Sequence, residues 1–292
     1  MPDEELNPNI PLPSETPGLK DILIIYLLAG LLLVVFGPLL QELHLLLGLI
    51  ITELGFLVSP PLLYAIRHKY NLSRTFQLAP IPFKTVWLTV VTTAAAFVLI
   101  GVVATFQEQI LPRPQAYQEL WEQAFKQFQQ VPFLLTFSVV ALLPGICEEL
   151  FFRGFLLRGI RKKLANRESV ILVGILFGTF HLDPYRFLPV TLLGIMFGYL
   201  VVKTGSILPG MIAHMTNNTL AILISYAAPA FQEHKPPLAP SSPGDIPLVQ
   251  VIFALIPLIG IALTIFIAGL RAIPHAPESE DRGAGFEVGK KA

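Results

Sequence analysis

Three charged side chains stand inside one apolar run of this chain, Pro144-Gly145-Ile146-Cys147-Glu148-Glu149-Leu150-Phe151-Phe152-Arg153. A charge near the middle of a bilayer costs roughly 2.5 to 3.5 kcal/mol on insertion scales, so a carboxylate in such a run is a candidate for function. On a helix Glu149 and Arg153 are four apart and share a face, while Glu148 is rotated by about 100° and points elsewhere. One carboxylate can then be neutralised while its neighbour stays free; the plainer alternative is a structural ion pair with a second Glu lodged beside it. Further along, His181 closes the run Phe177-Gly178-Thr179-Phe180-His181, and His214 shares a helix face with Asn218. A lone His in an apolar helix is often only a hydrogen-bonded packing residue, but three polar stations in separate apolar runs ask for more. Glu148 can take a proton from a water that His181 holds, which makes a nucleophile for a carbonyl carbon. His214 and Asn218 can donate hydrogen bonds to the oxyanion that follows. That chemistry is amide hydrolysis without an enzyme nucleophile.

The elements that must position these groups are apolar helices. Of the 292 residues 53% are hydrophobic and 14% charged, and the mean hydropathy is +0.66, which predicts an integral membrane protein. Apolar runs at residues 22–40, 45–66, 86–106, 133–157, 170–182, 187–202, 207–226 and 248–270 predict an all-α, polytopic fold of about eight transmembrane helices around a cavity. The fifth and sixth runs are short and joined by only Asp183-Pro184-Tyr185-Arg186, so they are either buried by neighbours or form a re-entrant hairpin. Counted at about 1.5 Å per residue from the basic ends of their helices, Glu148 and Glu149 lie about 12 to 14 Å deep, His181 and Asn218 about 17 Å and His214 about 11 Å. All of them can meet in one cavity. Glu53, in the second run, matches no other polar station and is expected to pack in the bundle or line the cavity.

If the helices alternate, fifteen of the basic residues fall on the side of the N-terminus, and only Arg113, Lys126, Arg186 and Lys235 on the other. By the positive-inside rule both termini are cytoplasmic. Between the third and fourth runs, Tyr117, Trp121, Phe125 and Phe128 recur at helical spacing within a polar segment, which predicts an amphipathic helix on the membrane surface that anchors the fold or gates substrate. Gly174-xxx-Gly178 and Gly194-xxx-Gly198 favour close helix approach.

A formal charge of zero excludes the basic surplus of a nucleic-acid binder. The single cysteine, Cys147, rules out an internal disulfide and reads as a small packed hydrophobe. Residues 1–19 are acidic and proline-rich without a basic leader segment, and 272–292 are polar; both are expected to be disordered tails around a membrane domain at 20–271.

Glu-Glu-xxx-Arg, Phe-xxx-His and His-xxx-Asn, in this order on three apolar helices, resemble the motifs of the CAAX protease and bacteriocin-processing (CPBP, Abi) family of intramembrane endopeptidases. Here they read Glu148, Glu149, Arg153; Phe177, His181; and His214, Asn218, within about 133–226. The resemblance implies a helical core with a conical cavity open to the cytoplasm. Within it Glu148 and His181 would activate water, His214 and Asn218 would form the oxyanion site, and Glu149 with Arg153 would support it. It further implies a membrane-associated protein or peptide as substrate and, since prenyl substrates belong mainly to eukaryotes, leaves open a role in CAAX trimming or in bacteriocin maturation or immunity. The plasma membrane of a prokaryote is the expected location. No cofactor is favoured. Zinc held by Glu148, His181 and His214 is the alternative, weakened by the lack of a His-Glu-xx-His motif and by the poor ligand Asn218. Two other readings compete: an ion- or proton-coupled transporter, which would also carry Glu and His near the midplane, and a non-catalytic immunity protein, which would tolerate Glu148→Ala.

Overall fold

A bilayer core about 30 Å thick asks for about 20 apolar residues per helix, and the chain answers with long helices separated by short breaks at proline and glycine. The computed structural model describes residues 17–233 and 248–276, with side chains over 17–227 and 256–276. Among the described residues there are helices and no strands. In chain order they are α1 (Leu19–Leu43), α2 (Leu45–Arg67), α3 (Phe83–Ile110), α4 (Gln115–Gln129), α5 (Phe133–Ile160), α6 (Asn166–Phe180), α7 (Phe187–Thr204), α8 (Leu208–Glu233) and α9 (Leu248–Ala272), with one short turn of helix at Leu72–Thr75. Among the described residues α1, α2, α3, α5 and α7 are long and apolar enough to cross a membrane. The chain is thus a polytopic membrane protein. The expected disordered tails fall on residues that lie, but for a few at the inner edges, outside the described ones.

Local chemistry sets the breaks. Pro82, Pro114 and Pro132 each occupy the extended position just before α3, α4 and α5, where a proline costs the helix no hydrogen bond and holds the preceding chain out of it. Helix α7 stops at Gly205, whose φ of +68° is the left-handed conformation that glycine adopts freely, with its N–H bonded to the Val201 carbonyl. Past α9, Ile273 is buried and the Ala276 N–H donates to the Lys203 carbonyl at 2.8 Å, tying this end of the chain to α7.

The short α6 is 15 residues, or about 22 Å, and cannot cross the core alone. It forms with α7 the most extensively packed helix pair among the described residues. Glycines make that possible: a Cβ added to Gly194 would stand 3.0 Å from the Gly174 Cα, so the backbones cross where neither residue has a side chain. Three stretches, Thr52–Val58 in α2 and Ser138–Leu142 and Leu150–Leu157 in α5, are wound more widely than an α-helix. Such π-type turns shift the register of side chains beyond them and gather at functional sites. Here one holds Glu53 and two bracket Glu148 and Glu149.

Candidate active site

Two neighbouring carboxylates on α5 meet opposite surroundings. Glu149 has no exposed side-chain surface, and neither has Arg153 one turn on; Arg153 Nη1 donates to Glu149 Oε1 at 2.6 Å. The other arm of the guanidinium donates to the Gly194 carbonyl of α7 at 2.8 Å. The rings of Phe177, Phe197 and Phe152 surround it, with Phe177 nearest at 4.5 Å. Removing charges from water is costly; these bonds and the aromatic faces, from which a guanidinium gains, offset part of that cost, though Arg153 Nε and Glu149 Oε2 have no hydrogen-bond partner. Glu149 Oε1 receives a second donor, His214 Nδ1, at 3.0 Å. Gly210 on α8 makes room for that carboxylate, since an added Cβ there would lie 2.8 Å from Glu149 Oε2.

His214 is held on three sides. Its ring stacks on Phe197 with centroids 5.2 Å apart and meets the edge of Phe177 at 5.8 Å. A carboxylate can only accept, so Nδ1 carries the proton shared with Glu149 and Nε2 is left to the site. Nε2 points at Glu148 Oε2 from 3.9 Å, within ion-pair range but beyond hydrogen-bond reach. Four residues along α8, Asn218 donates from Nδ2 to the Val140 carbonyl on α5 at 3.0 Å and accepts at Oδ1 from Asn217 at 3.1 Å. One Nδ2 hydrogen is spent on α5, and the amide has a second.

Glu148 keeps 14% of its side chain exposed, and its buried Oε2 has no hydrogen-bond partner. Its neighbour is Glu53, which the sequence left without a station: the widened turn of α2 packs on α5, and the two carboxyl groups lie within hydrogen-bonding reach. Glu53 therefore adds a second carboxyl group beside Glu148. The acid itself was visible in the sequence, but no residue at helical spacing pointed to its partner.

His181 caps the end of α6. Its Nδ1 lies 2.9 Å from the Phe177 carbonyl, which can only accept, so Nδ1 bears the hydrogen and the neutral ring offers a lone pair at Nε2. The ring is in electrostatic range of both Glu148 and His214. The loop after it is clasped by α4: Tyr117 donates to Asp183 Oδ2 at 2.6 Å, its ring lies 4.7 Å from that of Tyr185, and the Arg186 guanidinium stands 4.8 Å over Trp121. Burial and the bond to Asp183 push the Tyr117 phenol up to about 12, so it remains a donor. The amphipathic helix expected from the aromatic spacing is therefore present, and its aromatic face holds the loop next to His181. Spacing alone could not reveal that contact.

The six residues singled out by type and spacing thus converge on α5, α6 and α8. Among the described residues no three His, Cys, Asp or Glu side chains are grouped so as to hold a metal ion. Cys147 is buried and unpaired, as expected for a packed hydrophobe. No curated protein and no solved structure matches the chain. Residues 130–220 match a family model described as type II CAAX prenyl endopeptidase, Rce1-like. That segment holds all the motif residues, so it is similar to the CAAX protease/CPBP family of intramembrane endopeptidases, the family to which the three motifs pointed.

Proposed function

We propose that the chain hydrolyses a peptide bond in a membrane-associated protein or peptide, using a water activated between Glu148 and His181 and no metal. Glu148 takes one proton from the water as its oxygen attacks the carbonyl carbon. His181, with Nδ1–H engaged by Phe177, orients that water through the Nε2 lone pair. The oxyanion is met by the free N–H of Asn218 and by His214 Nε2, which donates only when the ring is doubly protonated, because its other hydrogen is given to Glu149. Glu148 then returns the proton to the departing amine, so that water is divided between the two products. The observation that carries this reading is the unequal fate of adjacent acids: Glu149 has no exposed side-chain surface and its Oε1 receives both Arg153 and His214, whereas Glu148 keeps 14% of its side chain exposed and faces the imidazole from 3.9 Å.

The fifteen-to-four division of basic residues supports cytoplasmic termini, and the plasma membrane of a prokaryote is the proposed location. The decisive experiment presents a quenched, membrane-anchored peptide library to the purified protein in proteoliposomes, beside Glu148→Ala. Cleavage by the wild type alone supports the proposal; equal cleavage by both, or none by either, rejects it. Metal analysis addresses the mechanism separately. One zinc per active chain, lost in both His181→Ala and His214→Ala, would overturn the metal-free choice and leave the protease standing.

A further inference from the structure

On the far side of α7 from the catalytic groups lies a crevice of about 660 Å³ between α3, α6, α7 and α9. Leu99, Ile100, Ile171, Leu192, Met196 and Phe266 are among the side chains that line it, and its wall is almost wholly apolar until Asn166 and Arg167 at one end. Gaps of that size are not left empty in packed interiors, and water in an apolar pocket finds no partners. The dimensions suit one kind of occupant. Along α7 the lining runs from Leu192 to Val202, about 15 Å at 1.5 Å per residue, which is half of a bilayer core of about 30 Å. A single acyl chain of one leaflet has that reach.

The polar end matches a phosphate. Arg167 is exposed and sits in the first turn of α6, whose cap residue Ala165 supplies no side-chain acceptor to the opening N–H groups. Helix start and guanidinium therefore present positive charge to the same spot. Asn166 accepts from Arg161 at 2.7 Å, which keeps a second cation close. Glu168 follows on a face rotated by about 100°, and Lys203 is committed to the Leu270 carbonyl. The basic end of α6 lies on the side of the excess positive charge, so an anionic headgroup of that leaflet meets Arg167 at the depth where the crevice ends.

We infer that this crevice is a phospholipid site, with one acyl chain between α3, α6, α7 and α9 and the phosphate at Arg167. Binding here bears on the back of α7, the helix whose Gly194 carbonyl holds Arg153 and whose Phe197 carries His214. The test uses the full chain in phosphatidylcholine vesicles doped with phosphatidylglycerol bearing a diazirine in its tail, followed by peptide mapping of the photo-adducts. Adducts are expected in residues 96–103 and 192–202, displaced by excess unlabelled phosphatidylglycerol. Arg167→Glu, an exposed position, should lower their yield by about ten-fold, as the loss of a charge-assisted contact does. Leu192→Trp should remove them by filling the crevice, with thermal unfolding recorded for both variants. Equal labelling by a diazirine diacylglycerol without phosphate, indifference to Arg167→Glu, or displacement by a farnesyl lipid and not by phosphatidylglycerol would each overturn the assignment. The readout is an adduct and does not depend on proteolysis.

Discussion

The two sides of α5 treat the same side chain in opposite ways. On one side Glu149 is closed off from solvent by Arg153, the Gly194 carbonyl, three phenylalanine rings and His214. On the other side Glu148 meets Glu53, the unfilled nitrogen of His214 at 3.9 Å and the field of His181, and part of its side chain is exposed. The first side is a scaffold of buried, paired charges; the second is an assembly of acids and bases that a reacting molecule can complete. A rotation of about 100° between consecutive helical residues is all that separates them. His214 connects the two, anchored by Nδ1 to the scaffold and offering Nε2 to the reactive side.

The sharpest way to break that contrast is Glu148→Gln, which keeps the shape and removes the base. Turnover should fall by about 10²- to 10⁴-fold with thermal unfolding in detergent nearly unchanged; turnover within a few-fold of wild type would end the distinction between the two acids. On the scaffold side the loss should fall on stability instead. Arg153→Ala strands a buried carboxylate and should cost about 3 to 5 kcal/mol, and adding Glu149→Gln should restore part of it. A denaturation cycle of the four proteins that shows no coupling would reject the pair as a unit.

Asn218→Ala sharpens the comparison at the oxyanion end. Removal of one donor should lower kcat by about 10²- to 10³-fold with little change in KM, and neither this variant nor His214→Ala should regain turnover on addition of zinc. A mainly raised KM would point to substrate binding rather than transition-state stabilisation. The smallest effect is expected from Tyr117→Phe, which removes one of the contacts that hold the loop after His181 to α4. Loss of a hydrogen bond to a charged acceptor is worth about 1.5 to 3 kcal/mol when fully buried and less at this half-exposed site, so turnover should fall by under about ten-fold. Because the folded state disfavours the phenolate, the stability from this bond is complete below the ordinary tyrosine value of 10.0 and fades as pH climbs towards about 12. A wild-type unfolding profile that loses stability from Tyr117 near neutral pH would contradict the contact.

Much of the site was legible in the chain because helical periodicity is local physics. Residues four apart share a face whatever surrounds them, so Glu149 with Arg153 and His214 with Asn218 could be paired from spacing, and hydropathy located the helices that carry them. The cost of a charge among apolar residues made the carboxylates stand out. What periodicity cannot express is which faces of different helices meet. Spacing gave Glu149 one partner, Arg153, and only the packing of α8 on α5 brings His214 to the same oxygen. Glu53 looked solitary because its neighbour lies nearly a hundred residues away, across a widened turn that shifts the helical register. The aromatic spacing of α4 announced an amphipathic helix but not that Tyr117 and Trp121 would grip the loop beside His181. Those contacts arise from long-range packing of helix on helix, as does the crossing at Gly174 and Gly194, and they belong to the tertiary structure alone.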